Sequence, residues 1–133
     1  MIKEDIVVYV IPGNPIPLAR ARINHKSMYD SQRNEKLVAR VNLRNQHEDK
    51  PLFTGPLLLD ITFYMPIVKS RAKQYDKILN TYDFYKPDLS NLIKYVEDVA
   101  NEILYDDDCL IAKINAKKIY GEPRTEFTIT SLK

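Results

Sequence analysis

The stretch Lys86-Pro-Asp-Leu-Ser-Asn-Leu-Ile-Lys94, read together with Tyr105-Asp-Asp-Asp-Cys109, decides how this chain of 133 residues is organised. Pro87-Asp88 has the form of a helix start, a short polar acceptor following a residue that resists helix continuation. Beyond it Leu89, Leu92, Ile93, Val96, Val99, Ala100 and Ile103 recur at spacings of three and four. That pattern predicts one apolar stripe on a helix of about four turns. Asn91, Lys94 and Asp98 fall together on the opposite side. Asp88 stands at the mouth of the helix, and Asp106, Asp107 and Asp108 arrive just after its end. A following strand that folds the chain back would bring the two acidic groups toward one point.

Three adjacent carboxylates repel one another, and a positive group nearby relieves that cost. Magnesium prefers oxygen ligands and is usually held by one or two carboxylates together with phosphates and water. The same residues also fit a plainer account. Asp88 could serve only as a helix cap, and Asp106 to Asp108 could form a solvated turn. Spacing by itself leaves both open.

The pattern Asp88-Leu89-Ser90-Asn91, Lys94, Asp98 and then Tyr105-Asp106-Asp107-Asp108 resembles the RusA family of Holliday junction resolvases. Gly13-Asn-Pro-Ile-Pro17 followed by Arg20-Ala-Arg22 is similar to that family's amino-terminal signature. Ile111 to Tyr120, with Lys117-Lys118, fits its closing strand. The likeness runs from about Gly13 to the end; it is specific in the central motif and loose between Lys26 and Pro56. It implies an α+β endonuclease that cuts four-way DNA junctions with Mg²⁺, for which Mn²⁺ could substitute. It also implies a homodimer in which each subunit carries one site. By the resemblance Asp88 and Asp108 match metal-binding acids, Asp107 precedes the second of them, and Lys94 matches a lysine important for catalysis. One position departs from the pattern, since Ser90 stands where the family usually has a second acid. Either the site works with fewer carboxylates, or Asp106 or Asp107 compensates, or the protein binds junctions and cuts them poorly.

The chemistry expected of such a site follows from its groups. Phosphodiester hydrolysis needs an activated water and a stabilised leaving oxygen, and metal ions about 3.5–4 Å apart can supply both. Asp88 and Asp108 would be the principal ligands, with Asp107 secondary. Lys94 would stabilise charge on the scissile phosphate, or would merely pair with Asp98 at i,i+4 for a few tenths of a kcal/mol.

The rest of the chain frames this centre. Its length suits one domain, residues 1–133, able to bury roughly two-thirds of its unfolded surface. The composition is 44% hydrophobic and 29% charged, with a net charge of only +2. The acids and bases are segregated, which says more than their sum. A single Cys109 excludes an internal disulfide and fits a reducing cytosol. No apolar run approaches membrane-spanning length and no leader-like segment is evident, so the expectation is a cytoplasmic protein, encoded by a bacterium or a phage. His25 and His47 share no metal-ligand spacing with each other or with Cys109.

Ile6 to Ile11 predicts a strand covered on both faces. Gly13, Pro15 and Pro17 then force a loop that carries Arg20, Arg22 and Lys26, a set suited to phosphates. A helix capped by Asp30 or Ser31 should run to about Gln46. It has a basic stripe of Arg33, Lys36, Arg40 and Arg44 and an apolar face of Leu37, Val38 and Val41. Such a stripe is either a solvated face or a track for a DNA backbone. Leu57, Leu59, Ile61, Phe63 and Met65 alternate with more polar neighbours and mark the clearest half-buried strand.

Between Ile67 and Tyr85, Lys69, Arg71, Lys73 and Lys77 interleave with Tyr75, Tyr82, Phe84 and Tyr85. This is either a mobile loop that grips phosphates and stacks on unpaired bases, or a partly helical insertion whose tyrosines pack on the sheet. Leu110, Ala112, Ile114 and Ala116 alternate with Lys113, Asn115 and Lys117 and predict a strand with one basic face. With Thr125 to Leu132 it should make an antiparallel hairpin. The sum is an α+β domain, two main helices on a mixed sheet. A branched-DNA nuclease, a branch-binding relative that cleaves weakly, and a protein-interaction domain with incidental acids remain the three classes. A steep loss of DNA affinity with salt excludes the last.

Overall fold

The computed structural model describes residues 6–19, 22–23 and 28–133. Arg20, His25 and Lys26, and the side chain of Arg22, lie outside the described residues. The architecture is α+β, a mixed four-stranded sheet carrying two main helices.

Strand β4 (Leu57–Met65) is the axis of the sheet. Its alternation behaves as the sequence requires: Leu57, Leu59, Ile61, Phe63 and Met65 are all buried. Both of its edges are paired. Strand β5 (Ile111–Tyr120) runs parallel to it on one side, and β6 (Arg124–Ser131) runs antiparallel on the other. Strand β1 (Tyr9–Pro12) completes the sheet outside β6, in the order β1-β6-β4-β5. A separate two-residue ladder joins β2 (Arg22–Ile23) to β3 (Met28–Tyr29).

The expected β5–β6 hairpin is therefore not made. Pattern alone treats consecutive strands as partners, yet the most apolar strand, β4, takes both of them as neighbours. The short link Gly121–Pro123 instead crosses the end of β4. There the Gly121 N–H donates to the Met65 carbonyl at 3.0 Å. A Cβ on Gly121 would stand 2.9 Å from Tyr64 Cδ1, so this crossing requires glycine.

The first strand also differs from expectation. It is an edge strand and not one covered on both faces, and Ile6 and Val8 are exposed. Tyr9 alone is sealed, stacked on Phe127 with ring centroids 5.4 Å apart. Gly13, at φ +91°, turns the chain out of the sheet.

Helix α1 (Arg33–His47) docks by the face opposite to the expected one. Lys36, Ala39, Leu43 and His47 are buried, while Leu37, Val38 and Val41 are 48%, 64% and 50% exposed. Polar contacts outweigh the modest apolar stripe. Lys36 is held by Asp30 and, at 2.9 Å, by Asp98, and the His47 ring takes a 2.6 Å bond with the Tyr9 hydroxyl. The start of the helix is shaped by Asp30, whose side chain accepts from the Gln32 N–H at 2.8 Å. Gln46 bonds both the N–H and the carbonyl of Val10, each at 2.7 Å.

Helix α3 (Leu89–Ala100) follows its pattern closely and buries Leu92, Tyr95, Val96, Val99 and Ala100. It is shorter than the stripe suggested. The chain leaves the helix at Asn101, and Ile103, Leu104 and Tyr105 are buried in the return instead. This return leads through the acidic turn into β5, so β4, α3 and β5 form the long crossover that a parallel strand pair needs.

Between β4 and α3 a 3₁₀ turn (Lys69–Gln74) and the one-turn helix α2 (Tyr75–Ile78) bear out the partly helical insertion. The tyrosines do not pack on the sheet as that account supposed. Residues 80–83 anneal to the free edge of β5 through backbone bonds Asn80 N–H to Tyr120 O, Tyr120 N–H to Thr81 O and Asp83 N–H to Lys118 O, at 2.9–3.0 Å. Tyr75, Tyr82, Phe84 and Tyr85 stay exposed.

Candidate active site

Two clefts open along α3, separated by the extended segment 14–19. That segment is pinned from both sides. The Leu18 N–H donates to the Asn91 carbonyl at 2.9 Å. The Gln32 amide donates to Pro17 O at 2.8 Å and accepts from the Ala19 N–H at 3.0 Å. Leu18 lines both clefts.

The larger cleft, about 880 Å³, lies at the helix mouth and includes Asp88, Asn91, Arg71, Asp83, Lys86 and Tyr120. Asp88 is the residue before the first helical one. Its carbonyl accepts from the Asn91 and Leu92 N–H groups, but its carboxylate makes no capping hydrogen bond. Asp88 thus holds the N-cap position through its backbone, and its carboxylate is left without a capping bond. The carboxylate is half exposed and faces Lys86 Nζ at 3.4 Å, an exposed pair of small energetic weight. Lys118 fixes the approach to Asp88 by donating to the carbonyls of Tyr85 and, at 2.6 Å, Pro87. Asp83 is buried in the wall. It accepts from the Tyr120 hydroxyl at 3.1 Å and from the Tyr85 N–H at 2.9 Å, while Arg71 donates to that same hydroxyl at 2.8 Å.

The smaller cleft, about 340 Å³, lies farther along α3 and brings together Lys94, Glu97, Asp98 and Asp108 with Asp30 and Lys36. Lys94 is exposed and makes no ion pair among the described residues. Asp98, its expected i,i+4 partner, is engaged instead by Lys36 and by Arg40 at 3.9 Å. The Asp107 and Asp108 carboxyls are neighbours in the turn, and each shifts the other. Asp108 is raised above the ordinary carboxylate value, first by the adjacent Asp107 carboxyl, then by burial and by repulsion from Asp107 and Asp98. Asp107 is lowered, first by the Cys109 N–H, which it accepts at 3.1 Å, and then by Asp108. Glu97 is raised by burial and then by Asp108, with Lys94 opposing.

Asp88 and Asp108 thus line different clefts. Among the described residues no three His, Cys, Asp or Glu side chains stand close enough to hold one metal ion. The Asp107–Asp108 pair does fit the smaller requirement of magnesium, one or two carboxylates completed by phosphate and water. Two carboxyls side by side are also the arrangement that a divalent cation relieves.

The candidate DNA contacts are spread widely. Arg33, Lys69, Lys73, Lys113 and Lys117 are exposed, as a backbone-binding side chain must be. Arg40 is turned toward α3 and donates to the Asp98 carbonyl at 3.2 Å. Arg71 is half buried against Tyr120. Glu97, Asp30, Asp83 and Lys118 were missed from sequence. Glu97 could have been found, because it lies one turn beyond Lys94 on the wet side of the helix. Nothing in the pattern marks Asp83, since the burial of a loop aspartate depends on a strand far away in the chain.

The family described as "Endodeoxyribonuclease RusA" matches residues 12–130, nearly the whole of this fold and both clefts. The chain belongs to that family of endodeoxyribonucleases. It is also 28% identical over 138 aligned positions to "Uncharacterized protein YqaN" of Bacillus subtilis (strain 168), covering 94% of this chain and 96% of that protein.

Proposed function

We propose that this protein resolves Holliday junctions in DNA recombination and repair, acting as a Mg²⁺-dependent endonuclease that makes paired symmetric cuts. The observation that carries the reading is the joint presence of Lys94, Glu97 and Asp108 on one cleft of a RusA-family fold. In this reading Asp107 and Asp108 hold the cation, which supplies Lewis-acid activation of water and phosphate when bound. Asp88, whose carboxylate makes no capping hydrogen bond, faces the substrate from the helix mouth. Lys94, with no partner of its own among the described residues, carries the charge of the scissile phosphate. Exposed Arg33, Lys69, Lys73, Lys113 and Lys117 contact the backbone, with Arg20, Arg22 and Lys26 adding to them. A four-way junction has two-fold symmetry, so paired cuts call for a homodimer.

Two features favour a second reading. Ser90 is exposed beside Asp88 and supplies no charge, and the acids form no group of three among the described residues. Under it the protein binds branched DNA and cuts poorly.

The test is cleavage of a synthetic four-way junction and of matched linear duplex, with Mg²⁺ or Mn²⁺. Resolvase activity gives paired metal-dependent nicks on the junction alone, and Asp88→Asn lowers the rate by at least about 100-fold. Tight junction binding without nicks, followed by a large gain in cutting for Ser90→Asp, establishes the second reading. Equal cutting of duplex and junction removes the resolvase assignment.

A further inference from the structure

The segment before α3 exposes aromatic surface that the fold does not use. Phe84 is 79% exposed, Tyr82 71% and Tyr85 55%. Phe84 and Tyr85 are stacked on each other, centroids 4.7 Å apart and planes inclined by 25°. These rings are not on a slack loop. The backbone of residues 80–83 is bonded to β5, and Lys118 holds the Tyr85 carbonyl. A line of contacts leads outward from the core, with the Arg71 guanidinium 5.3 Å from the centroids of both Tyr120 and Tyr85. Tyr120 is buried, Tyr85 half exposed, and Phe84 stands at the outer end.

Three features specify what covers this end. The exposed rings are planar and one pair is already stacked, which is the geometry that receives another flat ring. The surrounding segment is cationic, with Lys69, Arg71, Lys73, Lys77 and Lys86 against Asp76 and the buried Asp83, so the partner is a polyanion. Tyr85, Arg71 and Lys86 line the same cleft as Asp88, so the rings sit at the rim of the candidate active site.

We infer that Phe84 and Tyr85 form a base-stacking platform that receives an unstacked nucleobase at the branch point of DNA seated in the Asp88 cleft. This rests on the branched-DNA reading above and adds to it the element that distinguishes a branch from a continuous duplex. Bases within a duplex are covered by their neighbours, whereas at a branch the stack is interrupted and a base face is available to an aromatic ring. The platform therefore contributes to junction affinity and not to duplex affinity.

The experiment measures dissociation constants of the full-length protein for a synthetic four-way junction and for a linear duplex of the same sequence, with Ca²⁺ in place of Mg²⁺. It compares wild type, Phe84→Ala and Phe84→Trp. The expected result is that Phe84→Ala lowers the preference for the junction by at least about fivefold. Duplex affinity stays within about twofold, and the salt dependence is unchanged because no phosphate contact is lost. Phe84→Trp should retain the preference. An unchanged preference in Phe84→Ala overturns the platform and leaves the branched-DNA reading standing. Equal weakening of both substrates also overturns it, since Phe84 would then be a general contact. A wild-type protein with no preference for the junction overturns both.

Discussion

The two long helices obey opposite rules. Helix α3 buries the stripe its periodicity announces, and Leu92 and Val99 are fully sealed. Helix α1 turns its apolar trio outward and buries a lysine and a histidine. Periodicity states which residues share a face, and it does not state which face the protein uses. In α3 the buried face is aliphatic apart from Tyr95. In α1 the choice is made by partners distant in sequence, because Asp98 on α3 and Asp30 before α1 need the Lys36 ammonium between them.

The sharpest way to break this contrast is on the α3 side. Leu92→Ala should cost about 2–5 kcal/mol in denaturant unfolding, since it opens a cavity in a closed core. Next comes Lys36→Ala, expected to cost about 1–3 kcal/mol by leaving Asp30 without its cation and Asp98 with Arg40 alone. Its pH dependence has a definite sign. Burial works against the Lys36 ammonium, but hydrogen bonds to Asp30 and Asp98 outweigh it and raise its pKa, while the bond to Lys36 lowers that of Asp30. The Asp30 contribution is present above its ordinary carboxylate value and is lost as pH falls through the lowered one. The Lys36 contribution is present below its ordinary value and is lost as pH rises through the raised one. The difference in melting temperature between wild type and Lys36→Ala should therefore be widest between roughly pH 5 and pH 10 and should shrink on either side. The smallest effect belongs to Val38→Ser, which should change stability by less than about 0.5 kcal/mol. A loss as large as that of Leu92→Ala would mean that Val38 is covered in solution.

The same distinction explains what was legible from sequence. Strand β4 and helix α3 were readable because each meets one dominant apolar partner, and the α+β class followed from their order. Strand pairing was not readable, because the link at Gly121 depends on the Met65 carbonyl and the Tyr64 ring, neither of which has a local signature. In the candidate site, the acidic turn and Lys94 stood out as a motif, and Lys94 and Asp108 line the same cleft. The division of Asp88 and Asp108 between two clefts was invisible, because it is produced by the segment 14–19 lying across α3. Asp83 acquires its place from burial, which depends on the whole fold.

The Gln46 side chain has a consequence for assembly. By offering Val10 one donor and one acceptor it imitates a single residue of a neighbouring strand, and residues 80–83 do the same with real backbone along β5. The two outer margins of the sheet are thus already taken at these positions. A second copy could not extend the sheet there without first evicting this chain's own substitute, so those margins are closed to strand addition.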